Sequence, residues 1–315
     1  MFVLARRLKE AGILGINGRN ALYQLIYNER KNYPLVDDKV LSKQIAQKMG
    51  LAVPPLYGLI EDPHQVDGID KIIAPYQDFV IKPAQGSGGD GILVVVGRGH
   101  GLYRLANGKL MDIDDIRFHL HNILSGIYSL GGQDDKALIE YRVKFDPVFE
   151  TIAYQGVPDV RIIVFLGVPV MSMVRLPTRM SGGRANLHQG CIGAGVDMAT
   201  GKTLSAVLKN AIIDEHPDTG APVRGVQIPN WEKLLEIAAQ SFEMTKLGYQ
   251  GIDLVLDRER GPLMLELNAR PGLNIQIANG EGLNHRLEKI KANIDKLKSL
   301  ADRVTFAREN FPPKI

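Results

Sequence analysis

Three oxygen-bearing side chains stand at the ends of two apolar segments in the last third of the chain. Asp253 opens the segment Asp-Leu-Val-Leu, and Glu266 and Asn268 close the segment Leu-Met-Leu-Glu-Leu-Asn. If these segments pair as an antiparallel hairpin, Asp253 lies opposite Glu266, and Asn268 points to the same face as Glu266. Carboxylate and carboxamide oxygens are the ligands that hard divalent cations prefer. The spacing therefore predicts a nucleotide-bound Mg²⁺ site, with a solvated strand edge as the alternative.

A glycine-rich loop joins two short apolar segments earlier in the chain, Phe-Val-Ile-Lys-Pro and Gly-Ile-Leu-Val-Val-Val, which both read as strands. Its members are Gly86, Ser87, Gly88, Gly89 and, after Asp90, Gly91. Glycines permit positive φ angles and let backbone N–H groups converge on an anion, while the Ser87 hydroxyl adds a donor and Lys82 adds a charge. A strand follows the loop where a Walker loop or a dinucleotide fingerprint requires a helix. The loop therefore indicates a phosphate-binding hairpin, with a merely flexible hairpin as the alternative.

Composition indicates an ordinary globular protein. The 315 residues are 45% hydrophobic, which is enough for one large domain or two smaller ones. The net charge of +3 comes without a basic block interleaved with aromatic residues, and this argues against a nucleic-acid partner. Cys191 is the single cysteine, so an internal disulfide is excluded and a reducing, cytoplasmic location is favoured.

No stretch of the sequence predicts a membrane span. The apolar run at the start is too short for a signal peptide. The longest apolar stretch, residues 162–174, contains Gly167 and Pro169 and falls short of the roughly 20 residues that a spanning helix needs. It predicts two buried strands around a Gly-Val-Pro turn.

Other patterns predict the elements around these motifs. Residues 39–49 predict a helix that stops at Gly50, and Asn230 is a good N-cap for a helix that leads into the metal hairpin. Residues 181–195 look too polar and bent for the core and predict a mobile loop over a site. The tail repeats apolar residues with the three-four spacing of one helical face, which packs against the body or forms the seam of a homodimer. These residues are Leu287, Ile290, Ile294, Leu297 and Ala301.

Taken in order, the motifs resemble those of the ATP-grasp superfamily and, within it, the α-L-glutamate ligase-like branch related to the ribosomal-protein glutamate ligases. The resemblance covers residues 37–282, and the order and spacing of its motifs are far more specific than any one of them. They are Asp38-Lys39, Phe79-Val-Ile-Lys82-Pro, the glycine loop, Ile139-Glu140-Tyr141-Arg142-Val143, Asp159-Val-Arg161, Asn186-Leu-His188-Gln-Gly190, Gly251-Ile-Asp253 and Glu266-Leu-Asn268-Ala-Arg-Pro-Gly.

The resemblance implies an α+β ATP-grasp fold whose two subdomains grip ATP between them. We expect a leader at residues 1–36, an N-terminal subdomain with the glycine loop at 37–140, a C-terminal subdomain with the metal site at 141–285, and a C-terminal helix and tail at 286–315. Most such ligases carry a complete α/β domain ahead of the Asp-Lys motif. The short leader in its place leaves the docking position of the substrates open.

The resemblance also implies residue roles. The expected nucleotide ligands are Lys39 and Lys82 at the phosphates, Gly86, Ser87, Gly88 and Gly89 of the loop, Glu140, Tyr141 and Val143 beside the adenine, and Glu150 at the ribose. Lys43, one helical turn after Lys39, is the alternative to it, and either could instead be a surface charge.

Four residues are expected to act on the substrates: Arg161, Arg175, Asn186 and Arg270. Arg161 and Arg175 end consecutive strands, and guanidinium forks suit both a transferred phosphoryl group and an acyl phosphate. Asp159 would orient Arg161. Asn186 belongs to a loop that helps to close the phosphate site, and Arg270 would meet the carboxylate substrate.

These expectations combine into an ATP-dependent carboxylate–amine ligase. Asp253, Glu266 and Asn268 would hold one or two Mg²⁺ ions, with Mn²⁺ as a substitute, and a substrate carboxylate would become an acyl phosphate that an amine attacks. By family likeness, glutamate or another amino acid would be joined to a peptide or a small acceptor. The alternatives are a kinase of a small hydroxyl substrate and a nucleotide-binding regulator without turnover.

Overall fold

A computed structural model describes residues 2–86, 88–129 and 131–313 of the protein, with side chains from residue 6 onward. The α-helices are α1 (Phe2–Glu10), α2 (Ile16–Gly18), α3 (Leu25–Tyr27), α4 (Pro34–Asp37), α5 (Lys39–Lys48), α6 (Ile69–Ile73), α7 (Ile113–Leu124), α8 (Trp231–Thr245), α9 (Ile275–Asn279), α10 (Leu283–Lys291) and α11 (Leu300–Asn310). A π-helical stretch, Arg19–Gln24, joins α2 to α3. No helix in the part of the chain just defined is long and apolar enough to cross a membrane.

The residues that the structure describes also form thirteen strands. They are β1 (Leu56–Ile60), β2 (Phe79–Pro83), β3 (Leu93–Gly99), β4 (Leu102–Leu105), β5 (Leu110–Met111), β6 (Ala137–Glu140), β7 (Asp159–Phe165), β8 (Val168–Leu176), β9 (Ile192–Val196), β10 (Thr203–Leu208), β11 (Ala211–Ile213), β12 (Tyr249–Asp257) and β13 (Gly261–Asn268). The mixture of helices and antiparallel sheets confirms the α+β class.

Contacts divide the chain into two compact units, each built around one sheet. The larger unit comprises Met1–Asp37, Ile45–Ala52 and Lys144–Ile315, and the smaller unit comprises Asp38–Gln44 and Val53–Val143. The residues expected to form a leader thus lie within the larger unit. The domain boundaries expected near residues 36, 140 and 285 stay predictions.

The smaller unit is a six-stranded antiparallel sheet with α7 packed against it. Its strand order is β1-β6-β2-β3-β4-β5. Strand β2, which carries Lys82, is therefore paired on both sides, and this fixes the backbone of Lys82. Helix α7 forms because Asp112 caps it, accepting a hydrogen bond from the backbone N–H of Asp115 at 2.8 Å. Ile116, Leu120 and Ile123, spaced by about one turn, then form its buried face.

The larger unit is a seven-stranded antiparallel sheet with the order β11-β10-β9-β8-β7-β12-β13. The predicted pair of buried strands around the Gly-Val-Pro turn is confirmed by β7 and β8. Strand β12 is buried along its whole length although it contains Gln250, Asp253 and Asp257. Buried polar groups need partners, and the partners of Asp253 are the basis of the candidate site.

Two expectations about the larger unit are wrong. The predicted loop at residues 181–195 is too long, because its last residues form β9, a buried strand between β8 and β10. Gly195 allows this, since a Cβ there would lie 2.3 Å from the carbonyl oxygen of Ala278. The tail is also not one helix, because a 3₁₀ turn, Ile294–Lys296, separates α10 from α11. The side chain of Ser299 caps the start of α11 by accepting a hydrogen bond from the backbone N–H of Asp302. Ile294 is accordingly 37% exposed.

The N-terminal segment is bound into the larger unit by buried polar contacts. The side chain of Asn28 donates to the carbonyl oxygen of Tyr249 at 2.7 Å and accepts from the N–H of Tyr249 at 2.8 Å. The N–H of Gly248 donates to the carbonyl oxygen of Tyr27 at 2.9 Å. These bonds place the segment beside the first residues of β12.

We expect Asn28→Ala to destabilise the larger unit by about 2–3 kcal/mol, because it removes two buried hydrogen bonds to one residue of β12. The measurement is urea unfolding followed by the fluorescence of Trp231, which is the only tryptophan of the chain and is buried in this unit. Asn17→Ala, at an exposed position of the same segment, is the control and should leave the midpoint unchanged. Equal stability of the two variants would contradict the anchoring role of Asn28.

Candidate active site

The three predicted metal ligands lie on one face of the β12–β13 hairpin. Asp253 pairs with Glu266 across the two strands, as the predicted register requires, and a bulge follows immediately, since Leu254 pairs with Met264. The side-chain nitrogen of Asn268 lies 3.3 Å from Oδ2 of Asp253 and 3.5 Å from Oε1 of Glu266. The geometric part of the prediction is therefore confirmed, and the metal role stays a prediction.

Two arginines from the neighbouring strands hold Asp253. Arg161, its cross-strand partner on β7, donates from Nε to Oδ1 at 2.7 Å and from Nη2 to Oδ2 at 2.6 Å. Arg175 on β8 donates from Nη2 to Oδ2 of Asp253 at 2.8 Å. The first contact is the bidentate fork that guanidinium and carboxylate groups form at their strongest.

Asp159 was expected to orient Arg161, and this is wrong, because its partner is Arg175. The Nε of Arg175 donates to Oδ1 of Asp159 at 2.6 Å, and its Nη2 contacts Oδ2. The turn pairs Phe165 with Val168, and a bulge between Ile163 and Val164 then shifts the register by one residue, so Asp159 faces Arg175 across β7 and β8. Counting from the turn alone would have paired Asp159 with Val174, so the sequence did not reveal this ion pair.

Burial and charge act against each other at Asp253. Its side chain is 1% exposed, and this burial acts to raise the pKa of the carboxyl group. The charges of Arg161 and Arg175 act in the opposite direction and prevail, holding the pKa of Asp253 well below its usual range. The carboxyl group of Asp253 is therefore ionised at neutral pH.

The donor set of this face fits a hard divalent cation. Among the residues that the structure describes, no group of three or more His, Cys, Asp or Glu side chains is placed to hold a metal. The face instead offers two carboxylates and one carboxamide, the oxygen ligands typical of Mg²⁺. The Asn268 amide lies within reach of both carboxylates, so the two negative charges converge on one point. With Asp159 included, three carboxylates stand against two guanidinium groups, which leaves a formal charge of −1.

In the smaller unit, Lys82 belongs to a buried cluster of three charges. Its Nζ lies 2.5 Å from Oε1 of Glu140, while Nζ of Lys43 lies 2.7 Å from Oε2 of Glu140 and 2.6 Å from the carbonyl oxygen of Pro54. All three charged side chains are more than nine-tenths buried. Lys43 was expected to be either a phosphate ligand or a surface charge, and the second option is wrong. Lys43 lies three residues from each of the buried residues Val40 and Ala46 on α5, and this helical spacing would have predicted its burial.

Lys39 contacts the backbone of the glycine loop. Its Nζ lies 2.6 Å from the carbonyl oxygen of Gly86 and 3.4 Å from that of Ala84. Both lysines expected at the phosphates are thus in the same unit as the loop, Lys82 on the strand that enters it. Their contact with a nucleotide stays a prediction.

The glycine loop has positive φ angles at Gly88, Gly89 and Gly91, as expected, but not at Gly86. Gly86 is needed for another reason: a Cβ there would lie 2.3 Å from the side chain of Pro83. Ser87, predicted as a hydroxyl donor, lies outside the described residues. The glycines therefore form a backbone-lined turn, which is the arrangement that anion binding requires.

Both ends of the glycine loop are anchored by residues that the sequence did not reveal. The buried carboxylate of Asp135 accepts from the N–H of Gln85 at 3.0 and 3.1 Å. At the other end, Nε2 of His119 lies 2.9 Å from the carbonyl oxygen of Gly91. Burial lowers the pKa of His119, so the imidazole is neutral at physiological pH. These two contacts hold the loop at its ends.

The strand expected beside the adenine is buried within the smaller unit. Glu140 pairs through its backbone with both Val80 and Leu56, and the N–H of Tyr141 donates to the carbonyl oxygen of Pro55 at 2.9 Å. The side chains of Tyr141 and Val143 are buried, as the packing role predicted for them requires. Adenine binding by this strand stays a prediction.

Three further predicted residues make local contacts in the larger unit. Glu150 forms an exposed ion pair with Arg258 at 2.9 Å. The side chain of Asn186 accepts from the N–H of His188 at 3.0 Å and so caps a short 3₁₀ turn. The guanidinium carbon of Arg270 lies 5.1 Å from the centre of the Tyr33 ring. Their roles toward ribose, phosphate and carboxylate stay predictions.

The sheet topology, the glycine loop and the carboxylate–carboxamide face together define an ATP-grasp protein. The model of the sugar-transfer associated ATP-grasp family matches residues 18–292, and the chain belongs to that family. The superfamily named from the motifs is thereby confirmed, while the glutamate ligase-like branch stays a prediction. A search of curated proteins found no match.

Several solved structures are similar to the chain at low identity. A biotin carboxylase–β,γ-ATP complex from Campylobacter jejuni is 16% identical, with 82% of this chain and 46% of that chain covered at a TM-score of 0.51. The ATP-grasp ligase PsnB with its minimal precursor is 13% identical, with 86% of this chain and 63% of that chain covered at 0.45. D-alanine–D-alanine ligase from Bacillus anthracis complexed with ATP is 14% identical, with 88% and 68% covered at 0.44. The chain thus spans less than two thirds of the length of PsnB.

The buried lysine–glutamate cluster predicts unequal effects of removing its members. Glu140→Gln leaves two ammonium groups buried without a counter-charge and should destabilise the smaller unit by about 3–5 kcal/mol. Lys43→Met leaves the neutral pair Lys82–Glu140 and should change stability by less than about 1 kcal/mol. Hydrogen exchange of the β2 and β6 amides, measured by mass spectrometry, reports the stability of this unit. Equal losses in both variants would show that the cluster is not stabilised by charge balance.

The same cluster predicts an acid-dependent stability. Burial acts to raise the pKa of Glu140, but the charges of Lys82 and Lys43 outweigh it, so the pKa in the folded protein lies below that of the unfolded chain. A lowered carboxyl pKa stabilises the fold above the unfolded value of about 4.3 and ceases to do so as the pH falls through the folded value. Unfolding measured at stepwise lower pH should therefore show a loss in the wild type that Glu140→Gln lacks.

Proposed function

We propose that the protein is an ATP-dependent carboxylate–amine ligase that forms an amide bond through an acyl phosphate. The observation that carries this proposal is the chain of buried contacts from Arg161 through Asp253 to Arg175, with Glu266 and Asn268 on the same face. Oxygen ligands beside two guanidinium groups are suited to a reaction in which phosphoryl oxygens carry the developing charge. Membership of the ATP-grasp superfamily supports ATP as the phosphoryl donor.

Asp253, Glu266 and Asn268 would hold one or two Mg²⁺ ions, or Mn²⁺ in their place. The ion, when bound, supplies positive charge to the phosphate oxygens of ATP. Asp253 is already held by two arginines, so its position does not depend on the cation. Glu266 and Asn268 are partly exposed at the end of β13, where the side chains can adjust to a ligand.

Arg161 and Arg175 would act on the transferred group. In the first step, an oxygen of the substrate carboxylate attacks the γ-phosphorus, the bond to the bridging oxygen breaks, and ADP leaves. The Nη1 groups of the two arginines, which the ion pairs with Asp159 and Asp253 do not use, can donate to oxygens of the phosphoryl group in transfer and of the acyl phosphate that results. Their ion pairs with Asp159 and Asp253 hold both groups in fixed orientations before the reaction begins.

The smaller unit would bind the phosphates of ATP. Its buried cluster has one positive charge in excess, since two lysines face one glutamate, and this excess favours a polyanion. The positive φ angles of Gly88, Gly89 and Gly91 are of the kind that lets backbone N–H groups turn toward phosphate oxygens. In the second step, an amine attacks the carbonyl carbon of the acyl phosphate, inorganic phosphate leaves, and the amine loses a proton.

The substrates we propose are an amino acid, glutamate first among them, and a peptide or small acceptor. PsnB is described with a precursor peptide, and the family description refers to sugar transfer. A panel of acceptors should therefore include peptides, amino acids and amino sugars. ADP release that requires both a carboxylate and an amine is the expected result. ADP release with hydroxyl compounds alone would identify a kinase, and tight Mg-ATP binding without ADP release would identify a regulator.

Glu266→Gln combined with Asn268→Ala should leave the fold intact and lower turnover by about a thousandfold, because several kcal/mol of charge stabilisation are lost. The matched control is Glu309→Gln combined with Asn17→Ala, at exposed positions of the same unit, and it should retain full turnover. Circular dichroism checks folding, and the electron paramagnetic resonance of Mn²⁺ checks cation binding directly. Turnover in the first variant at the wild-type rate would refute the metal assignment.

A further inference from the structure

The N-terminal helical segment buries two polar side chains and exposes four large apolar ones. Between residues 16 and 27, α2, the π-helical stretch and α3 follow one another without a break. Arg19 and Gln24 are buried. The large apolar side chains of this segment that are exposed are Ile16 at 63%, Leu22 at 53%, Leu25 at 73% and Ile26 at 63%. This is the reverse of the burial pattern of a helix on the surface of a globular protein.

Specific hydrogen bonds hold the segment in this orientation. Arg19 donates from Nη1 to the carbonyl oxygen of Pro271 at 2.9 Å, and Gln24 donates from its side-chain nitrogen to the carbonyl oxygen of Ala269 at 2.8 Å. The hydroxyl group of Tyr23, buried between them, lies 2.7 Å from Oδ1 of Asn284. Rotating the helix to bury its leucines would break all three bonds, so the apolar face stays exposed.

Exposed apolar side chains are concentrated in this part of the protein. Of the 18 large hydrophobic residues that are exposed in the described chain, six lie between Leu8 and Ile26. Single exposed hydrophobic residues are normal on a protein surface, whereas a cluster of them marks an interaction site. We call Ile16, Leu22, Leu25 and Ile26 the apolar face.

The same part of the chain carries an excess of positive charge. Residues 1–31 contain six basic side chains and two acidic ones, a formal net charge of +4 against +3 for the whole chain. They are Arg6, Arg7, Lys9, Arg19, Arg30 and Lys31 against Glu10 and Glu29. The rest of the protein is thus close to neutral. Arg19 is buried, and the other five basic side chains are exposed and adjoin the apolar face in sequence on both sides.

We propose that the apolar face, with the basic residues beside it, binds the surface of a bilayer that contains anionic lipids. Aliphatic side chains next to Lys and Arg are the combination that enters the boundary between headgroups and acyl chains. The exposed apolar side chains here are all leucine or isoleucine, whereas protein–protein interfaces are enriched in aromatic residues and methionine. Charge and composition therefore favour a lipid surface over a second protein.

The test uses the full chain and two kinds of vesicle, pure phosphatidylcholine and phosphatidylcholine mixed with phosphatidylglycerol. The expected result is co-sedimentation with the mixed vesicles that weakens as salt is added, since screening reduces the attraction of basic residues to anionic lipids. Arg7→Glu with Lys9→Glu should weaken binding by at least about tenfold. Failure of the wild-type protein to bind mixed vesicles at low salt would overturn the proposal.

A matched pair of triple variants distinguishes binding by the apolar face from non-specific binding through other exposed apolar side chains. Leu22→Gln, Leu25→Gln and Ile26→Gln together should weaken partitioning by about a hundredfold, because three aliphatic side chains no longer leave water. The control combines Leu110→Gln, Phe118→Gln and Ile212→Gln, which are 54%, 69% and 72% exposed elsewhere, and it should bind like the wild type. Equal binding by both triple variants would overturn the proposal.

Two further measurements keep the result interpretable. All six substituted positions are exposed, so circular dichroism and Trp231 fluorescence should show both triple variants folded. Sedimentation velocity without vesicles tests the alternative that the apolar face binds a second copy of the chain. If the wild type is a dimer that the first triple variant dissolves, the apolar face is a protein interface and the proposal falls.

Discussion

A buried carboxylate held between two guanidinium groups is the constraint on which the larger sheet depends. Asp253 is almost fully inaccessible and has partners on both β7 and β8, so three strands must keep their register for the charges to meet. Removing one member of such a buried ion pair strongly destabilises the fold, because the remaining charge stays buried without an opposite charge. The arrangement thereby fixes the position of the one face that carries oxygen ligands for a cation.

The two units hold charge clusters of opposite excess. In the larger unit, three carboxylates face two arginines, and in the smaller unit, two lysines face one glutamate. A negative excess favours a divalent cation, and a positive excess favours phosphate oxygens. The charged side chains of each cluster form ion pairs with one another, so they stay ordered without a bound ligand. Pre-organised charges of this kind need little rearrangement when the substrate binds.

The sequence predicted the features that follow from local periodicity and missed those that depend on pairing between distant elements. The hairpin register of Asp253 and Glu266 could be predicted because one tight turn determines it. The ion pair of Lys43 could not be predicted, because its partner Glu140 is 97 residues away along the chain. Gly193 and Gly195 looked like loop residues in the sequence. Glycine is needed there because Leu187 and Ala278 approach the two positions closely, and sequence alone does not show this.

Average composition also concealed a local property. A net charge of +3 over 315 residues suggests no particular partner, yet the first 31 residues carry all of it. The inward polar residues of the π-helical stretch were equally invisible, because their acceptors are backbone carbonyl groups near Asn268, which no side-chain pattern encodes.

The aromatic contacts of the N-terminal segment have a practical consequence. Tyr23 and Tyr27 both pack edge-on against Phe165, with ring centres 5.4 and 5.0 Å apart. Trimming the chain to the Asp-Lys motif would uncover this phenylalanine at the end of β7 together with the carbonyl groups of Ala269 and Pro271. A truncated protein of that kind would be prone to aggregate, so any shortened form for crystallisation or display should retain everything from Leu14 onward.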